Sequence, residues 1–518
     1  MAYGVSAMKF WGSLSSKMVE KISPLYVRLC ELCCNPFTMG LLSLLWFILR
    51  TGTKPSRITY PCQRAALANI YVWLATYIYP ILHLFYWRFS KKTKTNLKRL
   101  IPIITLAIVG VGVSLTLWGI YENVRREGVR EAGLKIEAKL AKFEPSSSIF
   151  VVNGTRGNDD GVFKLIELMG KCGLPFYKSP EPGVNKGPSG LIARDDVVIV
   201  KVNSQWDERG GTNTDLVKAI IQAILSHPEG FIGEIVVADN GQAQYGSSGR
   251  GGSLAWSRNN AENISQSIQS VVDFFAGRGY RVSTYLWDSI TTRRVNEYFE
   301  GDMDDGYVVN ATRNPRTGIM VSYPKFKTAF GTYISFKYGV WDPANQTYSG
   351  GKLKVINLPV LKTHSIYGVT ACVKHYMGVV SDKLTAMLGA RAHDSVGTGG
   401  MGTQMVETRF PTLNIIDAIW VNAVPRGGPS TSYNEATRVN IIAASLDPVA
   451  LDYWATKYIL LEVARRKGYS GLSSIDPDNT ERGSFGYWLR LSMEEIRRAG
   501  YQATVDEDYM SIYVISLS

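Results

Sequence analysis

Lys362, His364, Lys374 and His375 fall within "LPVLKTHSIYGVTACVKHYMG", residues 358–378, a run otherwise made of apolar and small residues. Lysines gathered at one place hold an oxyanion such as a carboxylate or phosphate. A lysine crowded by other cations has a lowered pKa and serves as base or nucleophile, and a histidine moves protons near neutrality. The chemistry these types offer is capture of a small anion, with Lys362, His364 and Lys374 as catalytic candidates and His364 as proton carrier.

Such residues need elements to bring them together. "KLKVINLPVL" reads as a strand with "KTHS" at its carboxyl end, and "YGVTACVKHYMGVV" as the helix or turn that follows. Upstream, "SIFVVNGT", "DDVVIVKVNS", "IGEIVVADNG" and "YRVSTYLWD" are further apolar strands, alternating with helical stretches at 160–172, at "TDLVKAIIQAIL" and at 260–277. That alternation implies an α/β domain with a mostly parallel central sheet, whose ligands sit at the carboxyl ends of the strands. Lys201, Asn203, Asp239 and Asn240 fall at those ends, with the competing roles of turn former and helix cap open to Asn and Asp. Residues 306–341 have the texture of hairpins and are expected to form an antiparallel insertion or sheet extension. The Gly/Ser-rich stretch "GQAQYGSSGRGGS" lacks phosphate-loop spacing and reads as a flexible lid.

The chain of 518 residues is longer than one ordinary domain. Its formal charge of +13 is unevenly spread: residues 1–121 hold 14 Lys/Arg against 2 Glu, while the remainder is nearly balanced at +1. A nucleic-acid-binding globular part would need a concentrated basic face and is not indicated. The basic section is also apolar. Residues 66–87 and 101–121 are uncharged stretches of transmembrane length, and 37–49 is a shorter third candidate. Residues 1–121 are therefore expected to be a membrane anchor of two or three transmembrane helices in the lipid bilayer, able to associate with other membrane subunits. Residues 122–147 read as a helical stalk and 148–518 as the α/β domain. The six Lys/Arg at 88–99 place the large domain on the extracytoplasmic side of a multi-pass cell-membrane protein. Sequons at Asn153, Asn263, Asn310 and Asn345 occur at about chance frequency and decide nothing.

Two metal readings stand beside the anion reading. Cys30, Cys33, Cys34 and Cys62 form a thiolate set or soft apolar residues beside a membrane segment. His364, His375 and His393 with Asp239 or Asp447 would suit a divalent ion, without a metal-binding spacing to support it. His83 and His227 read as structural. The sequence names no cofactor.

"KVNSQWDERGGTNTDLVKAII", "EIVVADNG", "VINLPVLKTHSIYGVTACVKHYMG", "LNIIDAIW" and "AASLDPVALDYWA", in this order, resemble the DUF362 family, a domain of unknown function found in bacteria and archaea. The resemblance covers about residues 148–465. It implies a site at Lys201, Asn203, Asp239, Lys362, Thr363, His364, Lys374 and Asp447, although Asp447 followed by Pro448 is also a helix start in its own right. Members often carry an appended ferredoxin-like module, which this sequence lacks, and usually show Lys-Asn where Lys374 and His375 stand. Redox-linked or acid/base catalysis on a small anion is one expectation. A non-catalytic ligand-binding protein or complex subunit of the cell envelope is the other.

Overall fold

The computed structural model describes residues 36–53, positions 66, 69, 70 and 73, and residues 133–242 and 251–517. The chain divides into two units, 1–121 and 122–518. In the first, the helix Pro36–Thr53 packs Phe37 against Trp73, with ring centroids 5.6 Å apart, and leaves Leu41, Leu45 and Ile48 exposed.

The expected transmembrane anchor is corrected here. Among the described residues no helix is long and apolar enough to cross a membrane. The helix over the third candidate has 18 residues and includes Thr38, Ser43 and Arg50; at 1.5 Å per residue it rises only about 27 Å, short of the bilayer core. Apart from positions 66, 69, 70 and 73, the stretches 66–87 and 101–121 lie outside the described residues, as do 88–99, the four N-terminal cysteines and His83. The multi-pass, extracytoplasmic placement rested on that anchor and has no support among the described residues. Within the expected stalk, residues 133–146 are not helical: Leu134 is buried in the core of the second unit, and Lys139 bridges to Ile512.

In the second unit the strands are β1 (Ser147–Asn153), a short pair β2 (Tyr177–Lys178) and β3 (Lys186–Gly187), β4 (Val197–Lys201), β5 (Glu234–Asp239) and β6 (Val282–Leu286). Then follow β7 (Gly306–Val309), β8 (Ser322–Lys327), β9 (Tyr333–Ser335), β10 (Gly339–Asp342) and β11 (Thr347–Ser349). The last are β12 (Leu353–Asn357), β13 (Val360–His364), β14 (Gly368–Thr370), β15 (Leu413–Asn422), β16 (Ala436–Ser445) and β17 (Met510–Ser516). The central sheet runs β17-β1-β16-β15-β12-β4-β5-β6, with β13 paired to β15 and β14 to β13. It is mixed and mostly parallel. β16 runs antiparallel to both its neighbours, and β14 runs antiparallel to β13.

Both faces of the sheet are covered, which is why its strands are continuous apolar runs. Along β4, Val198 and Val200 face one core with Leu165, Leu216, Ile220 and Val271 from the helices Gly161–Lys171, Thr214–Leu225 and Ile268–Ala276. Val197 and Ile199 face the other, with Met405, Leu451 and Trp488 from the helices Gly400–Glu407, Pro448–Ala455 and Phe485–Arg498. The helix expected at 260–277 begins only at Ile268, because the side chain of Ser267 caps it. Strands β7–β11 form their own five-stranded antiparallel sheet, whose Tyr307, Phe326 and Phe336 join the second core, so this insertion does not extend the central sheet.

Asp447 works as a staple in this fold. It is the N-cap of Pro448–Ala455, its Oδ1 accepting from Val449 N and Ala450 N, while Oδ2 accepts from Ser147 Oγ (2.6 Å) and Thr504 N (2.9 Å). Asp447→Ala orphans three backbone N–H groups and a hydroxyl, and is expected to lower stability by about 3 kcal/mol; the urea midpoint of unfolding measures it.

Candidate functional site

The central sheet splits at one seam. β12 lies between β4 and β15, with Asn357 opposite Lys201. Beyond Leu358–Pro359 the chain continues as β13, still paired to β15 but no longer to β4. Asn203 and Thr212 mend the parting: Asn203 Oδ1 accepts from Val360 N (2.9 Å), and Thr212 Oγ1 accepts from Asn203 N and donates to Leu358 O. Above this seam, at the carboxyl ends of β4, β5 and β13, lies a cavity of about 170 Å³.

Lys201, Asn203, Asp239, Asn240, Lys362, His364, Lys374, His375 and His393 all line it. Thr363 does not, because side chains alternate along a strand: Lys362 and His364 face the cavity, and Thr363 turns to the other side, where its hydroxyl accepts from Gly428 N. Asp447 is elsewhere, in the cap described above. Thr370 ends β14 directly opposite Lys362, and the helix carrying Lys374 and His375 starts only at Cys372.

Three of these groups are buried ammonium side chains. Lys201 pairs with Asp239 at 2.8 Å and donates to Val202 O. Asp239 is also held by the backbone N–H and hydroxyl of Ser204. Lys362 donates to Gly210 O, in a loop whose Arg209 stacks over Trp420 at 4.1 Å. Lys374 lies 5.7 Å above the Tyr367 ring and has no carboxylate within ion-pair distance among the described residues. The nearby Asp382 is tied to Arg391 Nε and to His393 N. Burial pushes Lys201 down to about 8, against the pull of Asp239. It pushes Lys362 to about 7, with Lys374 and Lys201 lowering it further against Asp239, and Lys374 to about 7, against the pull of Asp382 and with Lys201 adding to the effect.

The histidines are neutral. Burial, then the charges of Lys374, His393 and Lys362, hold His364 well below the usual imidazole range. Its Nδ1 accepts from Ile366 N (3.1 Å) and Tyr367 N (3.3 Å), so it closes its own hairpin turn and carries its proton on Nε2. Burial, with Lys374 and Arg391, brings His393 to about 3. His375 is likewise held far below its usual range by burial and Lys201. Among the described residues no group of three or more His, Cys, Asp or Glu is placed to hold a metal ion, so the ligand set of His364, His375 and His393 with Asp239 or Asp447 is corrected.

Positioning residues were less visible in the sequence. Asp452 is fully buried and accepts from Cys372 N (2.6 Å) and Val373 N (2.9 Å), capping the four-residue helix that presents Lys374 and His375. Asn240 is engaged by Thr291, Tyr307 and Val380, and Gln242 by Met377, Val380 and Asp382; both anchor the segment after that helix. Gly378 sits against the Lys201–Asp239 pair, where a Cβ would meet both charged groups.

Residues 353–457 match the DUF362 family, "Domain of unknown function (DUF362)", a stretch that holds Lys362, His364, Lys374, His375, His393 and Asp452 but not Lys201, Asn203 or Asp239. The chain is 32% identical over 111 residues to "Thylakoid-associated protein sll1697" of Synechocystis sp.. That alignment covers 21% of this chain and 33% of the relative. No solved structure matches the chain.

Gly378→Ala is expected to part the Lys201–Asp239 pair while the rest of the sheet stays folded. Chemical-shift changes confined to the cavity residues would show this; an unperturbed Lys201 ammonium would contradict it.

Proposed function

We propose that this chain binds a small oxyanion in the cavity, with Lys362 and Lys374 as its principal ligands, and Lys201, Asn203 and His364 Nε2–H around them. The observation that carries the reading is the mismatch of charge: three buried lysines share one lining carboxylate, Asp239. Buried charges are tolerated when paired, and two of these three have no carboxylate of their own. A bound anion supplies what is missing.

A lysine near pKa 7 is also a competent base or nucleophile at neutral pH. If turnover occurs, the proton carrier is Lys362 or Lys374. His364 is unsuited to the role of imidazolium, because its Nδ1 is occupied as an acceptor and burial keeps the ring neutral. The non-catalytic binding protein uses the same pocket without that step. Trp206, Met377 and Pro429 add apolar wall, which suits a ligand with a small carbon skeleton.

Binding an anion raises the pKa of the lysines it touches, so protons are taken up with it. Below about pH 7 the lysines are already charged and affinity is flat. As pH rises past 7 affinity falls, by about tenfold per pH unit for each proton taken up, until the raised pKa of the complex is reached. Sulfate, which does not titrate in this range, is the probe, and calorimetry in buffers of different ionisation heat counts the protons. Affinity unchanged between pH 6.5 and 8.5 would contradict the pocket. Lys362→Met and Lys374→Met are each expected to abolish sulfate binding without loss of thermal stability, since the apolar replacement removes a desolvated charge.

A further inference from the structure

Besides Trp206 Nε1 and Asp239 Oδ1, the latter ion-paired with Lys201, two buried polar atoms of the cavity-lining residues have no hydrogen-bond partner among the described residues: His375 Nε2 and Thr370 Oγ1. Their residues are 2% and 5% exposed. The protonation of His375 is fixed from behind. Asn414 Nδ2 donates to Ser445 O and Leu446 O, which turns its Oδ1 toward Asn357. Asn357 Nδ2 in turn donates to Asn414 Oδ1 (2.9 Å) and Cys372 O (3.1 Å), leaving Asn357 Oδ1 to face His375 Nδ1 at 2.7 Å. Both amides are oriented by backbone carbonyls, which can only accept, so Nδ1 must carry the proton. Nε2 therefore carries the lone pair, and burial and the Lys201 charge hold the ring far below its usual range, against the opposing pull of the Val202 carbonyl.

Resting on the anion pocket above, we infer that the ligand is a small oxyanion that also carries a hydrogen-bond donor: a hydroxylated carboxylate or phosphate whose O–H is received by His375 Nε2 while its charged end lies against Lys362 and Lys374. Thr370, opposite Lys362 in the β13/β14 register, completes the cradle, its hydroxyl free to donate to the oxyanion. An anion without a donor fills the charge deficit but leaves the His375 lone pair buried and unmet, which is the costlier half of a broken hydrogen bond. The cavity of about 170 Å³ suits a short acid.

Glycolate and propionate test this directly, because they have the same charge and nearly the same size and differ by a hydroxyl in place of a methyl. Sulfate serves as the reference anion. Glycolate is expected to bind the full chain at least about tenfold more tightly than propionate; His375→Leu shrinks that ratio, whereas Thr370→Val weakens both acids and leaves the ratio in place. Equal affinity for the two acids, or sulfate binding with neither acid binding, overturns the inference and leaves the anion pocket standing. Absence of binding by all three overturns the pocket reading itself.

Discussion

The site depends on one electrostatic constraint: the ammonium groups of Lys201, Lys362 and Lys374 are withdrawn from water into one cavity that offers a single carboxylate. Each would be far more stable in water, and the shifts toward neutrality record that cost. Nothing in the packing of the α/β layers needs it. Apolar side chains at 362 and 374 would avoid that cost, and the proposed oxyanion accounts for why lysines stand there instead.

The backbone that imposes this constraint is simple. A ten-residue strand, β15, receives β12 along its first half and β13 along its second, and the step at Leu358–Pro359 carries β13 out of contact with β4. The loss of one ladder leaves a gap where strand-end side chains converge, the usual position for ligands in an open α/β sheet. The turn after β13 is closed by His364 itself, and the helix after β14 is capped by Asp452. The residues facing the cavity and those fixing the chain are thus partly the same.

Much of the second unit was legible because parallel strands buried on both faces write themselves as unbroken apolar runs. The presence of β4 and β5 and the bounds of the helix Thr214–Leu225 followed from pattern alone, and Lys201, Asp239 and Lys362 from strand-end position. The sense of Thr363 was also present in the text, in the alternation of the strand, but was masked by a motif read as one block. Asp452 could not be found this way, since its contacts with Cys372 and Val373 bridge about 80 residues of sequence. His393 reaches the cavity from a loop whose path no periodicity announces. The anchor reading found no counterpart: no helix among the described residues is long and apolar enough to cross a membrane, the helix over the third candidate carries Arg50, and most of 66–87 and all of 101–121 lie outside the described residues.

Because both walls of the cavity are hydrogen-bonded into one sheet, they cannot swing apart as two lobes do about a hinge. β4 and β5 hang from β12, β12 and β13 from β15, and the register along each is continuous apart from the bulge beside Val360. The ligand of the proposed pocket would therefore meet a receptor that is already assembled, and its recognition would draw little on conformational entropy. Selectivity in such a receptor is enforced at the door and in the lining, by size and by complementarity of donors and acceptors. Exchange of the proposed ligand would then fall to the small segments at the rim, where Ile366 stands 64% exposed.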